Sequence, residues 1–477
     1  MMDQISPQSL TKTPGLLSVE DAKRLSPEQV IELFMCHLNP GQMHFMRLLG
    51  FHRIIVDQAE GMYYFTRDKR KILDFFGGFG SVGLGHNHPR VLAARQRFQQ
   101  EKRHEIAMAF PSQYAAALAY NLAKVSPPDL DMVFLGSSGT EAMEAAIKIA
   151  EQAQGPQRNK VLYAENSFHG KTKGALSITD GSLYRSEFVL IENAVRVPFG
   201  NIGAIERALE ADTAIGTVVL ETIQGGGGVI SAPLQFWQEL RALCDRRSVL
   251  WVADEVQCGF GRTGRFYAFE HAGVRPDIIA IAKSLGGGKC AMGAMIAHRD
   301  IFMRAYGSPK KALIHGPATF SGIGEACCTA IEALNVLYDE GLMENASLQG
   351  KYLLAQLTSL KEKHRVLIKD VRGSGLMVGM ELADVSQTLP VGLRQIAATL
   401  DERLQGSLAA LLGALLLRKH GILVGFTEYN RNVIRLEPPL ICQRVHIDLL
   451  IEAIDNVLSR GISGILSDYA RHVRFRS

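Results

Sequence analysis

Cysteine is scarce and scattered in this chain, at 7 of 477 residues. The positions are Cys36, Cys244, Cys258, Cys290, Cys327, Cys328 and Cys442, an odd set with no C-x-x-C pair. That excludes the disulfide framework of a small secreted domain, offers no zinc-ligand spacing, and fits a reducing, cytoplasmic compartment. Long apolar runs are lacking too. Late in the chain the uncharged stretch Gly406 to Leu417 has 12 residues, where a membrane-spanning helix needs about 20. The opening residues MMDQISPQSLTKTPG are polar and lack the apolar segment of a signal peptide. Charge is balanced, with 52 basic and 48 acidic residues leaving +4. The one basic run, Arg471, Arg474 and Arg476, reads as a solvated terminus and not as a nucleic-acid arm. Neither a nucleic acid nor a membrane is expected as a partner.

What is present is an ordinary globular balance, 47% hydrophobic and 21% charged, with an excess of glycine at 46 residues. The length allows about three domains by the usual prior. Residues 1 to about 50 hold two short helical stretches, one opened by Ser26-Pro27-Glu28-Gln29-Val30, a helix-start signature. Gly61 to Pro89 reads as short β runs punctuated by glycine, followed by a helix from Arg90. From about 130 to 300, apolar runs (MVFL, KVLYA, AIGTVVLE, VLWVADE, IIAIAK) alternate with helical patterns. Strands apolar on both faces and separated by helices predict a parallel sheet covered on both sides. From about 350 the order is a long helix, a strand pair around VRGSGLMVGMEL, another helix and a strand near NVIRL.

Three places carry chemistry. Ser138 to Glu141 is an S-x-x-E capping box between a strand and a helix; its free backbone N–H groups at Ser138, Gly139 and Thr140 suit a phosphate, although an ordinary capped helix has the same form. Asp254 and Glu255 end an apolar strand, where ligands collect in parallel sheets, and a buried carboxylate there needs a partner such as a protonated ring nitrogen. Lys283 ends the run IIAIAK before three glycines; desolvated there, it can serve as amine nucleophile and base, the bland alternative being a lysine snorkelling from a strand end. Gly259, Gly261 and Gly264 spell G-x-G-x-x-G after a strand, a nicotinamide-binding signature, but no clean helix follows. His86-Asn87-His88 lacks acidic or cysteine neighbours and reads as loop polarity.

SSGTEAMEAA, NSFHGKTKGALS, LETIQGGGGVI, VADEVQCGFGRTGRF, PDIIAIAKSLGGG, VRGSGLMVGMEL and VIRLEPPL, in order from about Gly61 to Leu440, resemble the class III aminotransferases. Within that family LDFFGGFG, GHNHP and LVGFTEYNRNVIRLEPPL look most like the putrescine (diamine) branch. The resemblance implies fold type I, an α/β fold whose large domain has a mostly parallel seven-stranded sheet between helices, plus a smaller α+β domain. The implied division is 1–94 contributing to the small domain, 95–345 as the large domain and 346–477 as the C-terminal small domain. It also implies pyridoxal 5'-phosphate (PLP) as cofactor, and a homodimer or tetramer with shared active sites. By resemblance Lys283 is the Schiff-base lysine, Asp254 pairs with the ring N–H, Gln257 bonds the ring's phenolic oxygen, and Phe168 stacks on the ring. Ser138, Gly139 and Thr140 match the phosphate cup, Thr319 a phosphate ligand given across the dimer interface, and Glu221 an acid near the cofactor.

Arg435 matches the arginine that clamps a substrate carboxylate. Family members that handle α-amino acids carry a glutamate opposite it; here that position is Gly226. The expectation is an Arg435 without its acidic partner in a roomier site. Ser321-Gly322-Ile323-Gly324 replaces the family's G-G-N-P, so an altered turn is expected at Thr319. The implied reaction is a two-stage (ping-pong) transfer from a diamine such as putrescine, or an ornithine-like donor, to a 2-oxo acid. Gly226 also leaves open amination of a long-chain aldehyde or ketone, as in prodigiosin-type pyrrole biosynthesis.

Overall fold

The computed structural model describes residues 15–106, 110–311, 319–384 and 408–472. Most of the polar opening segment, Gly406, Arg474 and Arg476 lie outside them.

The N-terminal part contributes strands β1 (Val56–Glu60), β2 (Tyr63–Thr66) and β3 (Lys71–Asp74). Next come β4 (Leu130–Gly136), β5 (Lys160–Ala164), β6 (Ala194–Val197) and β7 (Ile215–Glu221), then the short β8 (Ile223–Gln224) and β9 (Ile230–Ser231). β10 (Leu250–Asp254), β11 (Ile278–Ile281) and β12 (Gly293–His298) follow. The C-terminal part holds β13 (Ile368–Ser374), β14 (Met377–Leu382), β15 (Ile422–Leu423), β16 (Gly425–Phe426) and β17 (Val433–Leu436).

The central sheet has 7 strands in the order β4-β12-β11-β10-β7-β5-β6. Every pair is parallel except the two made by β12, which runs antiparallel to β11 and β4. β7, β10 and β11 are buried along their whole length. Alternate residues along a strand face opposite sides. Trp251, Ala253, Ile279 and Ile281 therefore pack on one side with Leu118, Leu122, Trp237 and Leu240 from helices Gln113–Val125 and Leu234–Arg247. Leu250, Val252, Ile278 and Ala280 pack on the other with Met143, Ala146, Ile149 and Ala150 from helix Gly139–Gln154. Trp251 stacks on Trp237 at 5.7 Å and 19°; a tryptophan at that depth contributes on the order of 3–5 kcal/mol over alanine.

The two ends of the chain meet. β3 pairs in parallel with β15, Leu73 opposite Ile422, and β13, β14, β17 and β16 make a separate antiparallel sheet. The Gly77 φ is +56°, and a Cβ there would lie 2.1 Å from the Glu437 carbonyl oxygen. Only glycine permits that approach, which, with the Glu437 N–H donating to Phe75 O at 2.9 Å, seats Glu437 against the N-terminal segment. Ser26 and Gln29 form the expected capping box with Pro27 in the first turn. Up to Leu49 there are three helices where two were expected, Val19–Arg24, Pro27–His37 and Pro40–Leu49, and two C-terminal helices, Arg444–Leu458 and Gly461–His472, were unanticipated. Among the described residues no helix is long and apolar enough to cross a membrane.

Gly259, Gly261 and Gly264 prove to be packing glycines. A Cβ on Gly261 would sit 2.9 Å from Met343, and one on Gly264 2.8 Å from Ser347. Gly261 and Gly264 let helix Leu342–Lys363 close on the turn, a Cβ on Gly259 would lie 2.6 Å from Glu255 O, and a 3₁₀ turn, Ala268–Ala272, takes the place of an α-helix between β10 and β11. His86 Nε2 contacts Asp74 Oδ2 at 2.8 Å, and Asn87 donates to Ala59 O at 2.6 Å, so both have structural partners.

Candidate active site

The carboxyl ends of β7 and β10 bring two acids side by side, Asp254 in register with Glu221 on one flank and Ala280 on the other. Asp254 is 3% exposed. Its Oδ2 lies 2.7 Å from His169 Nδ1, and its Oδ1 accepts the Val256 N–H at 3.0 Å. Glu221 accepts the N–H groups of Phe168 (2.9 Å) and Gly225 (3.2 Å). Burial first, and the charge of Asp254 second, push the Glu221 carboxyl well above the usual range. Glu255, the next residue after Asp254, points elsewhere, accepting from Thr222 Oγ1 at 2.5 Å and from the N–H groups of Ala268 and Phe269. Alternation along the strand thus sends one acid into the cavity and its neighbour into structure.

Lys283 opens a short 3₁₀ turn after β11, at φ +49°. A side chain in that region costs about 1–2 kcal/mol, a strain that gathers at functional sites. Desolvation lowers its pKa; Glu437 opposes this, Arg435 adds to it, and Asp254 and Glu221 oppose it less. The amine is therefore biased toward the neutral, nucleophilic form.

Opposite stands the N-terminus of helix Gly139–Gln154. Ser138 Oγ accepts the Glu141 N–H at 3.2 Å. The N–H groups of Gly139 and Thr140, with no intrahelical partner by position, are left for an anion. A Cβ on Gly139 would lie 2.8 Å from Val256, so glycine is what lets the helix end approach the Asp254 turn. Ser138, Gly139, Thr140, Phe168, His169, Glu221, Asp254, Gln257 and Lys283 line one cavity of about 700 Å³. The Phe168 ring meets Tyr184 edge-on at 5.6 Å.

At the other end, Gln257 Nε2 donates to both oxygens of Glu437, at 2.9 and 2.8 Å. Glu437 Oε2 lies 3.2 Å from Arg435 Nε, and Glu428 Oε2 lies 3.7 Å from Arg435 Nη1. The expectation of an Arg435 lacking acidic partners is therefore corrected, as is that of a roomier site. A Cβ on Gly226 would lie 3.0 Å from Glu428 Oε2; a carboxylate from another segment occupies the space. Thr319 is not brought to this cavity. It is exposed, in a turn where Gly322 adopts φ +67°.

The residues suit PLP by chemistry. A helix N-terminus meets a phosphate, a desolvated lysine an aldehyde, a flat aromatic a ring face, and a buried carboxylate a protonated ring nitrogen. Sheet and cavity wall together define a fold type I PLP enzyme. The family model "Aminotransferase class-III" matches residues 49–458, and the chain belongs to that family, whose members are PLP-dependent transaminases. The fold is similar to the ornithine aminotransferase of Toxoplasma gondii ME49, at 25% identity and TM-score 0.79, covering 96% of this chain and 100% of that one. It is also similar to an (S)-enantioselective omega-transaminase from Thermomicrobium roseum, at 27% identity and TM-score 0.79, covering 93% and 99%. An amine transaminase from an uncultivated Pseudomonas species, solved in its PLP-bound form, matches at 28% identity and TM-score 0.75, covering 85% and 95%.

Sequence reasoning had not singled out His169, Glu428 or Glu437. His169 and Glu437 stand inside quoted motifs, in Ser167-Phe168-His169-Gly170 and Arg435-Leu436-Glu437, so the signal was present. Glu428 stands in the quoted LVGFTEYNRNVIRLEPPL as well, but nothing in that motif sets it apart from its neighbours until the fold places it 3.7 Å from Arg435.

Proposed function

We propose that the enzyme transfers an amino group from a primary diamine such as putrescine, or an ornithine-like amine, to a 2-oxo acid in two half-reactions. The observation that carries this reading is Arg435. It is 1% exposed, its Nη2 has no hydrogen-bond partner among the described residues, and such a guanidinium fits a carboxylate bidentately. The diamine motifs around residues 72–89 and 423–440 support the donor class.

Bound PLP would supply an electron sink for the carbon that carries the transferring amine. Lys283 Nζ would anchor it by its aldehyde carbon and, once displaced by the donor amine, would carry the proton from the donor carbon to that former aldehyde carbon, so that the amino group stays on the cofactor and the donor leaves as a carbonyl compound. Asp254, held by His169 and Val256, would fix the ring N–H. Gln257, aimed by Glu437, would bond the phenolic oxygen, and Phe168 would cover the ring face. Glu221, its pKa raised, keeps the floor from carrying two full negative charges. Ser138, Gly139 and Thr140 would hold the phosphate, with Thr319 contributed by a second subunit of a homodimer. The test is a matrix of half-reactions on purified protein. Putrescine, cadaverine, ornithine and glutamate serve as donors; pyruvate and 2-oxoglutarate serve as acceptors. Turnover with glutamate and none with the diamines or ornithine would overturn the donor assignment.

A further inference from the structure

Arg262, in the turn that follows β10, is a buried cation with no part in the transfer chemistry. It is 1% exposed, and among the described residues its guanidinium donates only to backbone carbonyls. Nη1 donates to Leu376 O at 3.3 Å and to Pro438 O, and Nη2 donates to Gly80 O at 3.4 Å. Burial lowers its pKa, against the opposing charges of Glu437 and Asp74. Keeping a charge out of water is costly. A planar fork of donors can hold several carbonyls at once, which a neutral side chain of the same volume cannot do.

These carbonyls all lie outside the central sheet. Gly80 ends the turn Gly77–Gly80 after β3, Leu376 sits between β13 and β14, and Pro438 follows β17. Arg262 and Ser284 follow strands of the central sheet, and Ser284 Oγ, next to Lys283, donates to the same Gly80 O at 2.6 Å. The Arg262 carbonyl accepts the Leu376 N–H at 3.0 Å, and a Cβ on Gly375 would lie 2.5 Å from that oxygen. The held segments carry the substrate end of the cavity. Arg435 and Glu437 lie directly before Pro438 in the sequence. Phe79, at φ +58°, sets its ring 4.9 Å from the Arg435 guanidinium.

We propose that Arg262 is a positioning residue, a latch that holds the segments bearing Arg435, Glu437 and Phe79 against the turns bearing Gln257 and Lys283. It thereby sets the span between the guanidinium that takes a carboxylate and the lysine at the reacting carbon. A 2-oxo acid bridges that span, with its carboxylate at one end and its carbonyl at the other, so its binding depends on the latch. Cofactor loading does not, because Lys283, Asp254, His169 and the Ser138–Thr140 turn all belong to the central sheet and its connections. The inference rests on the carboxylate-binding role of Arg435 proposed above.

The test follows the acceptor half-reaction of the holoenzyme, as return of the cofactor's visible absorbance from its amine form at varied 2-oxoglutarate. Each curve gives a half-saturating concentration and a limiting rate. Arg262→Met is expected to raise the half-saturating concentration ~10-fold or more, the scale of one charge-assisted hydrogen bond, at unchanged cofactor content. Arg262→Lys, which keeps the charge and loses the fork, should fall between Arg262→Met and wild type. A wild-type half-saturating concentration in Arg262→Met overturns the latch, even where thermal stability drops, and so does a loss confined to the limiting rate or to cofactor content. A lysine variant no better than the methionine one also overturns it. Arg435→Met is the reference. If it leaves the half-saturating concentration unchanged, the carboxylate role of Arg435 falls; if it raises the value and Arg262→Met does not, only the latch falls. Should Arg262→Met fail to fold, Ser284→Ala removes the second donor to Gly80 O and must raise the same value; an unchanged value there overturns the proposal.

Discussion

His169 Nδ1 lies 2.7 Å from Asp254 Oδ2, with both side chains out of solvent, and His169 Nε2 has no partner among the described residues. The imidazole holds the acid's orientation from the side, as a clamp on the group we propose meets the ring nitrogen. Asp254→Ala is expected to retain PLP and lose turnover by ~100-fold or more, the scale on which preorganised charge acts. His169→Ala, which removes only the clamp, should fall between Asp254→Ala and wild type. Steady-state kcat with the cofactor spectrum as a loading control decides it; a near-normal rate in Asp254→Ala contradicts the role.

Lys283→Ala should abolish both the yellow absorbance of covalently held cofactor and nearly all turnover. Full turnover in that variant would end the assignment. The φ of +49° adds a second readout. Lys283→Gly should unfold at a higher temperature than Lys283→Ala, both without cofactor, by the equivalent of about 1 kcal/mol, since glycine relieves the strain that alanine keeps.

Gly225→Ala would place a Cβ 2.1 Å from Gln257 Oε1. Gln257 must then leave Glu437, which frees that acid toward Arg435. Expected are a shifted absorbance maximum of the bound cofactor and a stability loss of about 1–3 kcal/mol from overpacking. An unchanged spectrum would show that Gln257 does not report on the ring.

The sheet was legible where strands are buried on both faces, because continuous apolar runs such as GTVVLE, LWVAD and IIAI leave no other fate. Two strands escaped. β6 has the charged Arg196 within 4 residues, and β12 begins on glycine and runs antiparallel, a direction no local pattern encodes. The catalytic end was legible for the same reason as the sheet, since Asp254 and Lys283 sit where apolar runs stop. The substrate end was not. Gly226, Glu428 and Arg435 lie on separate segments that only the fold brings together, so the missing acid at 226 read as a vacancy until Glu428 was seen to fill it.

Thr319 is exposed in a turn away from its own cavity, and the neighbouring Phe320 is 58% exposed, an arrangement that suits contact with a second subunit. Mixing a Thr319→Ala subunit with a Lys283→Ala subunit should regenerate one intact site per mixed dimer, roughly a quarter of wild-type sites from an equal mixture. Recovery above the sum of the separate variants supports the shared site; none argues against it.

Glu255 offers a pH test independent of catalysis. Burial pushes its carboxyl up to about 7, against the donors Thr222, Ala268, Cys258 and Phe269. Between its ordinary value near 4.5 and 7, the folded state keeps a proton that the unfolded chain has released. The resulting stability is complete below the lower value and is lost as pH rises through the upper one, a swing on the order of 3 kcal/mol. Thermal unfolding of the wild type between pH 5 and pH 8 contains that term together with those of every other titrating group. Glu255→Gln, which cannot titrate, should lack it, so the wild type should lose more stability than the variant over the same interval. Parallel curves for the two proteins would place the Glu255 carboxyl in its ordinary range and make the four donors, and not burial, the dominant influence on its charge.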